Sequence, residues 1–93
     1  MKLYKYYYGI CEHRICTQVI ETDKRYPTGV ISEDGFLYLK DHDDNLARRL
    51  FAEDEARKAN ACRNERMAAG YRRRIHAILS NPVLEVKIKC MKH

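Results

Sequence analysis

The 93-residue sequence predicts a single α+β domain, residues 1–93, in which a short sheet packs against a long or broken helical segment. Two observations predict this class. Apolar and polar residues alternate along residues 2–40 and again along residues 83–90, which is the period of half-buried strands. Residues 44–80 are instead rich in strong helix formers and contain no proline. We therefore expect three to four strands, mainly antiparallel, and a helical layer.

The predicted sheet is a meander over residues 2–40 that is completed by a C-terminal strand. Five segments are candidates for its three to four strands: residues 2–11, 15–22, 30–32, 36–40 and 83–90. A loop marked by Pro27 and Gly29 precedes the third strand, and Asp34-Gly35 predicts a turn before the fourth. Consecutive even-numbered positions of the first strand, from Tyr4 to Ile10, share one face of the sheet.

The helical segment has clear ends but an ambiguous middle. Asp43 or Asp44 is a suitable N-cap, and Ser80-Asn81-Pro82 ends the segment. A continuous helix of about 35 residues would span roughly 50 Å, whereas a domain of this size has a radius of gyration of about 12 Å. Either the helix breaks near residues 58–65 to form a helical hairpin, or its centre overhangs the core and forms a homodimer contact.

A continuous helix would carry one apolar face with a polar interruption. Its apolar members are Leu46, Leu50, Met67, Tyr71, Ile75 and Ile78. The same face carries polar residues between them, namely Glu53, Arg57, Asn60 and Asn64. This interruption favours a break or an exposed centre.

Charge is unevenly distributed along the chain, whose formal net charge is +5. Residues 33–55 contain eight acids and three bases, whereas residues 57–74 contain seven bases and one acid. A basic half of this kind favours anionic partners, either nucleic acid or an acidic protein surface. The alternative is a solvated helix face with ion pairs four residues apart, such as Glu53–Arg57 and Asp54–Lys58.

Four arginines form what we call the arginine edge of a predicted helix over residues 62–79. They lie within an arc of roughly 100° when the residues are placed on a helical wheel. The arginine edge comprises Arg63, Arg66, Arg73 and Arg74, and Arg72 adjoins it. Because a guanidinium can bind two oxygens at once, this edge suits phosphates or carboxylates of a partner. An ordinary exposed helix face is the competing interpretation.

Tyrosines on the predicted strands are the second candidate contact. If Tyr6, Tyr8 or Tyr38 were exposed on the sheet, they could stack on bases or anchor a protein partner. Packing in the core and across strands is the alternative explanation of these rings.

The four cysteines are expected to be reduced, because the N-terminus lacks the features of an export signal. One set of residues has the chemistry of a zinc site if the last strand lies beside the first hairpin: Cys11, Cys16, Cys90 and His93. The spacing is irregular, and we favour free thiols. We therefore expect no cofactor and no bound metal.

The sequence contains no motif of a known catalytic site. Phosphate-binding glycine loops, the nucleophile elbow and the paired-histidine zinc motif are all missing. No run of about 18 apolar residues predicts a membrane span. We therefore expect a cytoplasmic protein that is not an enzyme, and no motif set assigns it to a known family.

These features favour a small accessory or inhibitor protein that binds a larger cytoplasmic protein or ribonucleoprotein complex through its basic helix. Small, charged chains without motifs are frequent among phage and mobile-element proteins that act on host defence or nucleic-acid-handling complexes, which is an argument by association. The alternative function is direct binding of DNA or RNA by the same arginines. The acidic residues 33–55 disfavour that alternative unless they face away from the polyanion.

Overall fold

A computed structural model describes residues 1–86 of the chain and contains a four-stranded sheet and two helices. The elements are, in chain order, β1 (Lys2–Gly9), β2 (Arg14–Glu21), β3 (Leu37–Leu39), α1 (Asp44–Ala61), α2 (Glu65–Ser80) and β4 (Leu84–Glu85). This arrangement confirms the predicted α+β class and the predicted C-terminal addition to the sheet. The remainder of the predicted last strand, residues 87–90, lies outside the described residues.

The strand order of the sheet is β3-β1-β2-β4, which differs from the predicted meander. β1 pairs antiparallel with both β2 and β3, whereas β2 and β4 are parallel. Residues 22–36 form a long connection between β2 and β3, which allows β3 to lie beside β1. A tight turn would instead have required β3 to pair with β2. The predicted strand at 30–32 is reduced to one bridge between Ile31 and Leu37.

The main core lies between the sheet and the two helices. It consists of eight side chains that are at most 9% exposed: Tyr6, Ile15, Leu37, Leu39, Ala47, Phe51, Ala52 and Ile78. Tyr4 and Tyr8 pack partly against this core, as the predicted face of β1 requires. Leu3 and Cys16 are also fully buried, but strand alternation places them on the opposite face of the sheet.

A buried hydroxyl connects the sheet to the start of α1. The Tyr6 hydroxyl donates a hydrogen bond to Asp44 Oδ1 at 3.0 Å and accepts one from the Asp43 N–H at 3.1 Å. Asp43 is the N-cap, as predicted, and its carboxylate accepts from the Leu46 N–H at 3.0 Å. The side chain of His42 lies 3.0 Å from the same Asp44 oxygen. This network fixes the direction in which α1 leaves the sheet.

The helical segment is broken at residues 62–64, so the helical hairpin is the correct alternative. Asn64 caps α2, because its side-chain oxygen accepts hydrogen bonds from the Arg66 and Met67 N–H groups. A link of three residues returns the chain so that α2 packs on α1. α2 ends at Ser80, as the following asparagine and proline predict.

The buried faces of the helices differ from the predicted ones. In α1 the buried residues are Ala47, Phe51, Ala52, Glu55 and Ala59, whereas Leu46 and Leu50 are only half-buried at its border. In α2, Ile78 is fully buried but Met67 is 55% exposed. The common apolar face was predicted for the case of a continuous helix, and the break at residues 62–64 removes that register.

Two glycines are expected to respond oppositely to alanine. At Gly9 an added Cβ would lie 2.7 Å from Cys16 Sγ and closer still to the Glu12 carboxylate, so Gly9→Ala should lower the free energy of unfolding by about 1–3 kcal/mol. At Gly70, inside α2, the nearest atom would be 3.9 Å away, so Gly70→Ala should raise it by about 0.5–1 kcal/mol. Urea denaturation of both variants measures this difference, and a stabilising Gly9→Ala would contradict the packing.

Candidate functional site

The predicted arginine edge is only partly a feature of one helix. Arg66, Arg73 and Arg74 lie on α2 and are exposed. Arg63 precedes the Asn64 cap and belongs to the link between the helices, so its predicted helical position is wrong. Arg66 and Arg73 are seven residues apart and therefore lie on the same side of α2.

Ion pairs divide the arginines into two groups. Arg72 pairs with Glu65 at 3.3 Å on the exposed side of α2. Arg74 lies 3.7 Å from Glu55 and 5.6 Å from the centre of the Tyr71 ring. Within residues 1–86, no carboxylate lies within ion-pair distance of the remaining three arginines, Arg63, Arg66 and Arg73. Arg63, Arg66 and Arg73 are therefore the part of the arginine edge that is available to an anionic partner.

The acidic half of the helical hairpin forms its own ion pairs. The predicted pair Asp54–Lys58 is present at 3.2 Å. Arg57 pairs with Asp54 at 3.4 Å rather than with the predicted Glu53. These contacts involve exposed cations and contribute little to stability, but they occupy both oxygens of Asp54.

Two of the three candidate tyrosines, Tyr6 and Tyr8, lie on the same face of β1 but differ in exposure. Tyr6 is fully buried and its hydroxyl is held at the start of α1, so it can neither stack on a base nor anchor a partner. Its assignment to the contact surface is wrong because the face of β1 that carries it is the core face. Tyr8 lies on the same face but nearer the end of the strand, is half-buried, and borders two surface cavities.

Tyr38 and other aromatic residues form a separate cluster on the opposite face of the sheet. The rings of Tyr26 and Tyr38 stack with centres 4.3 Å apart, and Lys5 Nζ lies 4.0 Å from the centre of the Phe36 ring. Burial, together with the nearby Tyr26 and Asp34, raises the pKa of the Tyr38 hydroxyl. These rings are engaged with one another, which favours packing over base stacking.

The two cavities that Tyr8 borders form one groove at the end of the β1–β2 hairpin. The inner cavity, of about 440 Å³, lies between the sheet and α1. The outer cavity, of about 400 Å³, lies between the hairpin turn and α2 and is bordered by Arg73. Both are lined by Tyr8, Ile10 and Arg74, so they meet along these three side chains. The groove thus brings together Tyr8, Arg73 and Arg74 of the predicted contact residues.

The hairpin turn is held against both helices by Asn81. Its side-chain N–H donates to the carbonyl of His13 at 2.9 Å, and its own carbonyl accepts from the Arg48 guanidinium at 3.3 Å. His13 adopts a left-handed backbone conformation (φ 54°), and its N–H closes the turn onto the Gly9 carbonyl at 2.8 Å. These hydrogen bonds therefore fix the position of the turn that carries Ile10.

Ile10 and Glu55 are features of the groove that the sequence did not reveal. Ile10 is 79% exposed at the meeting point of the two cavities. Glu55 is a helix residue only 7% exposed, and it borders the inner cavity. A signal for Glu55 was present, because it lies midway between Phe51 and Ala59 in one i, i+4 row of α1.

The proposed zinc set is only partly within the described residues. Cys11 is exposed and Cys16 is buried, and both are free thiols, as is Cys62. Burial and the nearby Glu12 carboxylate raise the pKa of the Cys16 thiol, which favours its neutral form. Cys90 and His93 lie outside the described residues. In residues 1–86, no group of three or more histidine, cysteine or acidic side chains is arranged to hold a metal ion.

Neither helix in the described part of the chain has the length and apolar character required to cross a membrane.

Comparisons of the chain with protein-family models, with curated proteins and with solved structures found no match. The functional interpretation therefore depends on the groove and its chemistry.

Proposed function

We propose that this chain is a non-catalytic accessory or inhibitor protein that binds another protein through the groove at the end of the β1–β2 hairpin. The observation that carries the proposal is the exposure of Ile10, at 79%, between two cavities. Ile10 continues the apolar lining that Tyr8 and Phe36 form in the inner cavity. A contiguous apolar surface in a concave site, rimmed by polar groups, is typical of a binding surface, whereas a single exposed aliphatic residue is not. The outer cavity is lined by Ile10 together with Tyr8, Arg73 and Arg74.

The composition of the groove favours a protein over a nucleic acid. Tyrosine and arginine beside an apolar centre are the residue types that dominate protein interfaces. The inner cavity also carries three carboxylates, Asp34, Asp54 and Glu55, which would repel a polyanion that entered the groove. The exposed arginines at its outer border, such as Arg73, would instead meet acidic groups at the rim of a protein partner.

Disruption of the groove should weaken capture of the partner. We expect Ile10→Asp to weaken binding by roughly 30-fold or more, the size of an interface hot spot, and Arg73→Glu to weaken it by about tenfold. The measurement is capture from native lysate after nuclease treatment, followed by the dissociation constant of the purified pair. Met67→Asp is the matched control, because Met67 is also exposed, at 55%, and lies in the first turn of α2, where an acid is tolerated.

Equal binding by the Ile10→Asp and Met67→Asp variants would overturn the proposal. Both changes place a charge at an exposed position, so neither should disturb the fold. Circular dichroism of the three proteins verifies this point before binding is compared.

Direct nucleic-acid binding is the second candidate, and the exposed arginines Arg63, Arg66 and Arg73 favour it. In that case each charge reversal should reduce the slope of log affinity against log salt by about one, and Ile10→Asp should have no effect. Arg66→Glu separates the two functions, because Arg66 borders neither cavity of the groove. It should weaken nucleic-acid binding but leave the protein partner bound.

A further inference from the structure

The edge of β1 that faces β3 is left open at the hairpin end of the sheet. β1 pairs with β2 along its whole length, up to Gly9, whereas its pairing with β3 ends at Tyr6. Within the part of the chain that the structure describes, residues 7–9 therefore have a neighbouring strand on one side only. We call the unpaired side of residues 7–9 the open edge.

The register of the sheet determines which backbone groups face the open edge. In an antiparallel pair, every second residue directs its N–H and C=O towards the partner strand. The Met1 carbonyl accepts a hydrogen bond from the Thr22 N–H at 3.0 Å, so the odd-numbered residues of β1 face β2. Tyr8 therefore directs its N–H and C=O to the other side, where the pairing with β3 has already ended.

A turn before β3 explains why the chain does not close this edge itself. The Gly35 N–H donates to the Ser32 carbonyl at 2.9 Å, and the Phe36 N–H donates to the Ser32 hydroxyl at 3.2 Å. These two N–H groups are thus used within the turn and not in a ladder with β1. The inner cavity lies in the space between, because it is lined by Tyr7 and Tyr8 on one side and by the turn on the other.

The inner cavity has the size and the lining that a short added strand requires. Three extended residues occupy roughly 500 Å³ at the usual rise per residue and the usual spacings of strands and sheets, and the cavity measures about 440 Å³. A residue opposite Tyr8 would direct its side chain towards Phe51, and its two neighbours would direct theirs towards Tyr7 and Phe36. These surroundings suit uncharged residues with a high strand propensity, such as valine and threonine.

The outer cavity adds a charge preference at one position of such a strand. A segment antiparallel to β1, as both present neighbours of β1 are, would enter from the hairpin end. Two residues before the one opposite Tyr8, its side chain would again lie on the helix side of the sheet, at the outer cavity. The described residues that line this cavity include Arg73, Arg74 and His13 but no carboxylate. An acidic residue at that position is therefore complementary in charge.

We propose that an extended segment of the protein partner adds to the sheet at the open edge, with its backbone hydrogen-bonded to Tyr8 and an acidic side chain of the segment paired with Arg73. In strand addition, main-chain hydrogen bonds provide affinity, and the surroundings of alternate side chains provide specificity. The inference rests on the proposed function and adds the backbone conformation and the charge of the segment that the groove binds. Ile10 borders this segment where the two cavities meet.

Hydrogen exchange tests the open edge in the free protein. The Tyr8 amide should exchange at least about tenfold faster than the amides of Tyr6 and Tyr7, which face β3 and β2 respectively. NMR spectroscopy of the whole chain measures the three rates together. Equal protection of the three amides would mean that the edge is closed, which would overturn the proposal.

The binding probe is the peptide acetyl-Glu-Val-Thr-Val-amide, whose threonine is designed to lie opposite Tyr8. Titration followed by ¹H–¹⁵N NMR should show saturable shifts at the amides of Tyr8, Gly35 and Phe36, which line the inner cavity. Methylation of the threonine nitrogen removes the donor that faces Tyr8 and should weaken binding about fivefold, the usual contribution of one hydrogen bond. Methylation of the last valine nitrogen is the matched control, because that N–H faces away from β1. It should change the affinity by less than about twofold.

A charge exchange tests the acidic position of the segment. Arg73→Glu should weaken binding of the peptide by about threefold, as expected for an exposed ion pair. The peptide acetyl-Lys-Val-Thr-Val-amide should instead bind the variant more tightly than it binds the wild-type protein. Arg66→Glu is the matched control, because Arg66 lies on the same helix but borders neither cavity, and it should leave both affinities within about twofold.

Two variants of Tyr8 carry the test to the captured partner. Tyr8→Pro and Tyr8→Val both remove the ring, but only proline also removes the backbone N–H. Proline is tolerated at a sheet edge whose N–H faces outwards, and circular dichroism verifies that both variants are folded. The proline variant should bind the partner about fivefold more weakly than the valine variant.

Three further results would overturn the proposal: equal affinity of the two methylated peptides, equal capture by the two Tyr8 variants, or a dimer of the wild-type protein that Tyr8→Pro dissociates. The last result would identify a second copy of the chain as the occupant of the open edge. Loss of capture in Ile10→Asp together with equal affinity of the methylated peptides would reject only strand addition. Peptide binding at the open edge without any effect of Ile10→Asp on capture would reject the proposed function instead.

Discussion

Replacement of Tyr6 is expected to cause the largest loss of stability in this protein. Tyr6→Ala should lower the free energy of unfolding by about 4 kcal/mol, because it empties a fully buried aromatic position in the core. Tyr6→Phe keeps the ring but removes the hydroxyl that bonds Asp44 and the Asp43 N–H, so it should cost about 1–3 kcal/mol. Urea denaturation monitored by circular dichroism measures both values.

Tyr7→Phe provides the control for the loss of a hydroxyl. Tyr7 is the next residue of β1, is half-buried, and forms no side-chain hydrogen bond within residues 1–86. Its replacement should change the free energy of unfolding by less than about 0.5 kcal/mol. Equal effects of Tyr6→Phe and Tyr7→Phe would show that the network at the start of α1 contributes nothing to stability.

Alkaline pH should destabilise the protein through the same hydroxyl. Burial raises the pKa of Tyr6 to about 12, and the hydrogen bond to Asp44 and the charge of Asp44 act in the same direction. The folded-state pKa thus exceeds the unfolded value of 10.0, so the contribution of Tyr6 is complete below about pH 10 and is lost as pH rises towards 12. The shift corresponds to at most about 3 kcal/mol.

Denaturation curves between about pH 9 and pH 12 test this expectation. The Tyr6→Phe variant should lose less stability than the wild-type protein over that interval, because it has no hydroxyl to ionise at this position. Burial also raises the pKa values of Tyr7 and Tyr38, so a smaller alkaline loss should remain in the variant. Parallel curves for the two proteins would contradict the assignment to Tyr6.

The ends of most elements could be predicted because their signals are local. The Asp43 cap, the stop at Ser80-Asn81-Pro82 and the turn at Asp34-Gly35 each depend on residues within one turn of chain, and the structure confirms all three. Gly35 has φ 88°, a conformation that glycine adopts readily. The alternation that predicted the first two strands is local as well, and β1 and β2 end within two residues of their predicted bounds.

The candidate site was predictable only in part. The arginines were identified by residue type and spacing, and Arg73 and Arg74 do border the groove. Tyr6 was misassigned because alternation shows that a strand has two faces but does not show which one the helices cover. Glu55 was not identified because a carboxylate in an acidic run is normally exposed, and its burial depends on the tertiary packing of α1.

The amino-acid sequence by itself determined the secondary-structure class, the helix ends and the separation of charge between residues 33–55 and 57–74. Tertiary structure decided that β3 pairs with β1, that α1 turns Phe51 and Glu55 inwards, and that Ile10 stands between two cavities. The physical reason is the range of the interactions concerned. Capping and periodicity act over a few residues, whereas strand order and helix rotation are set by the burial of side chains that are distant in the chain.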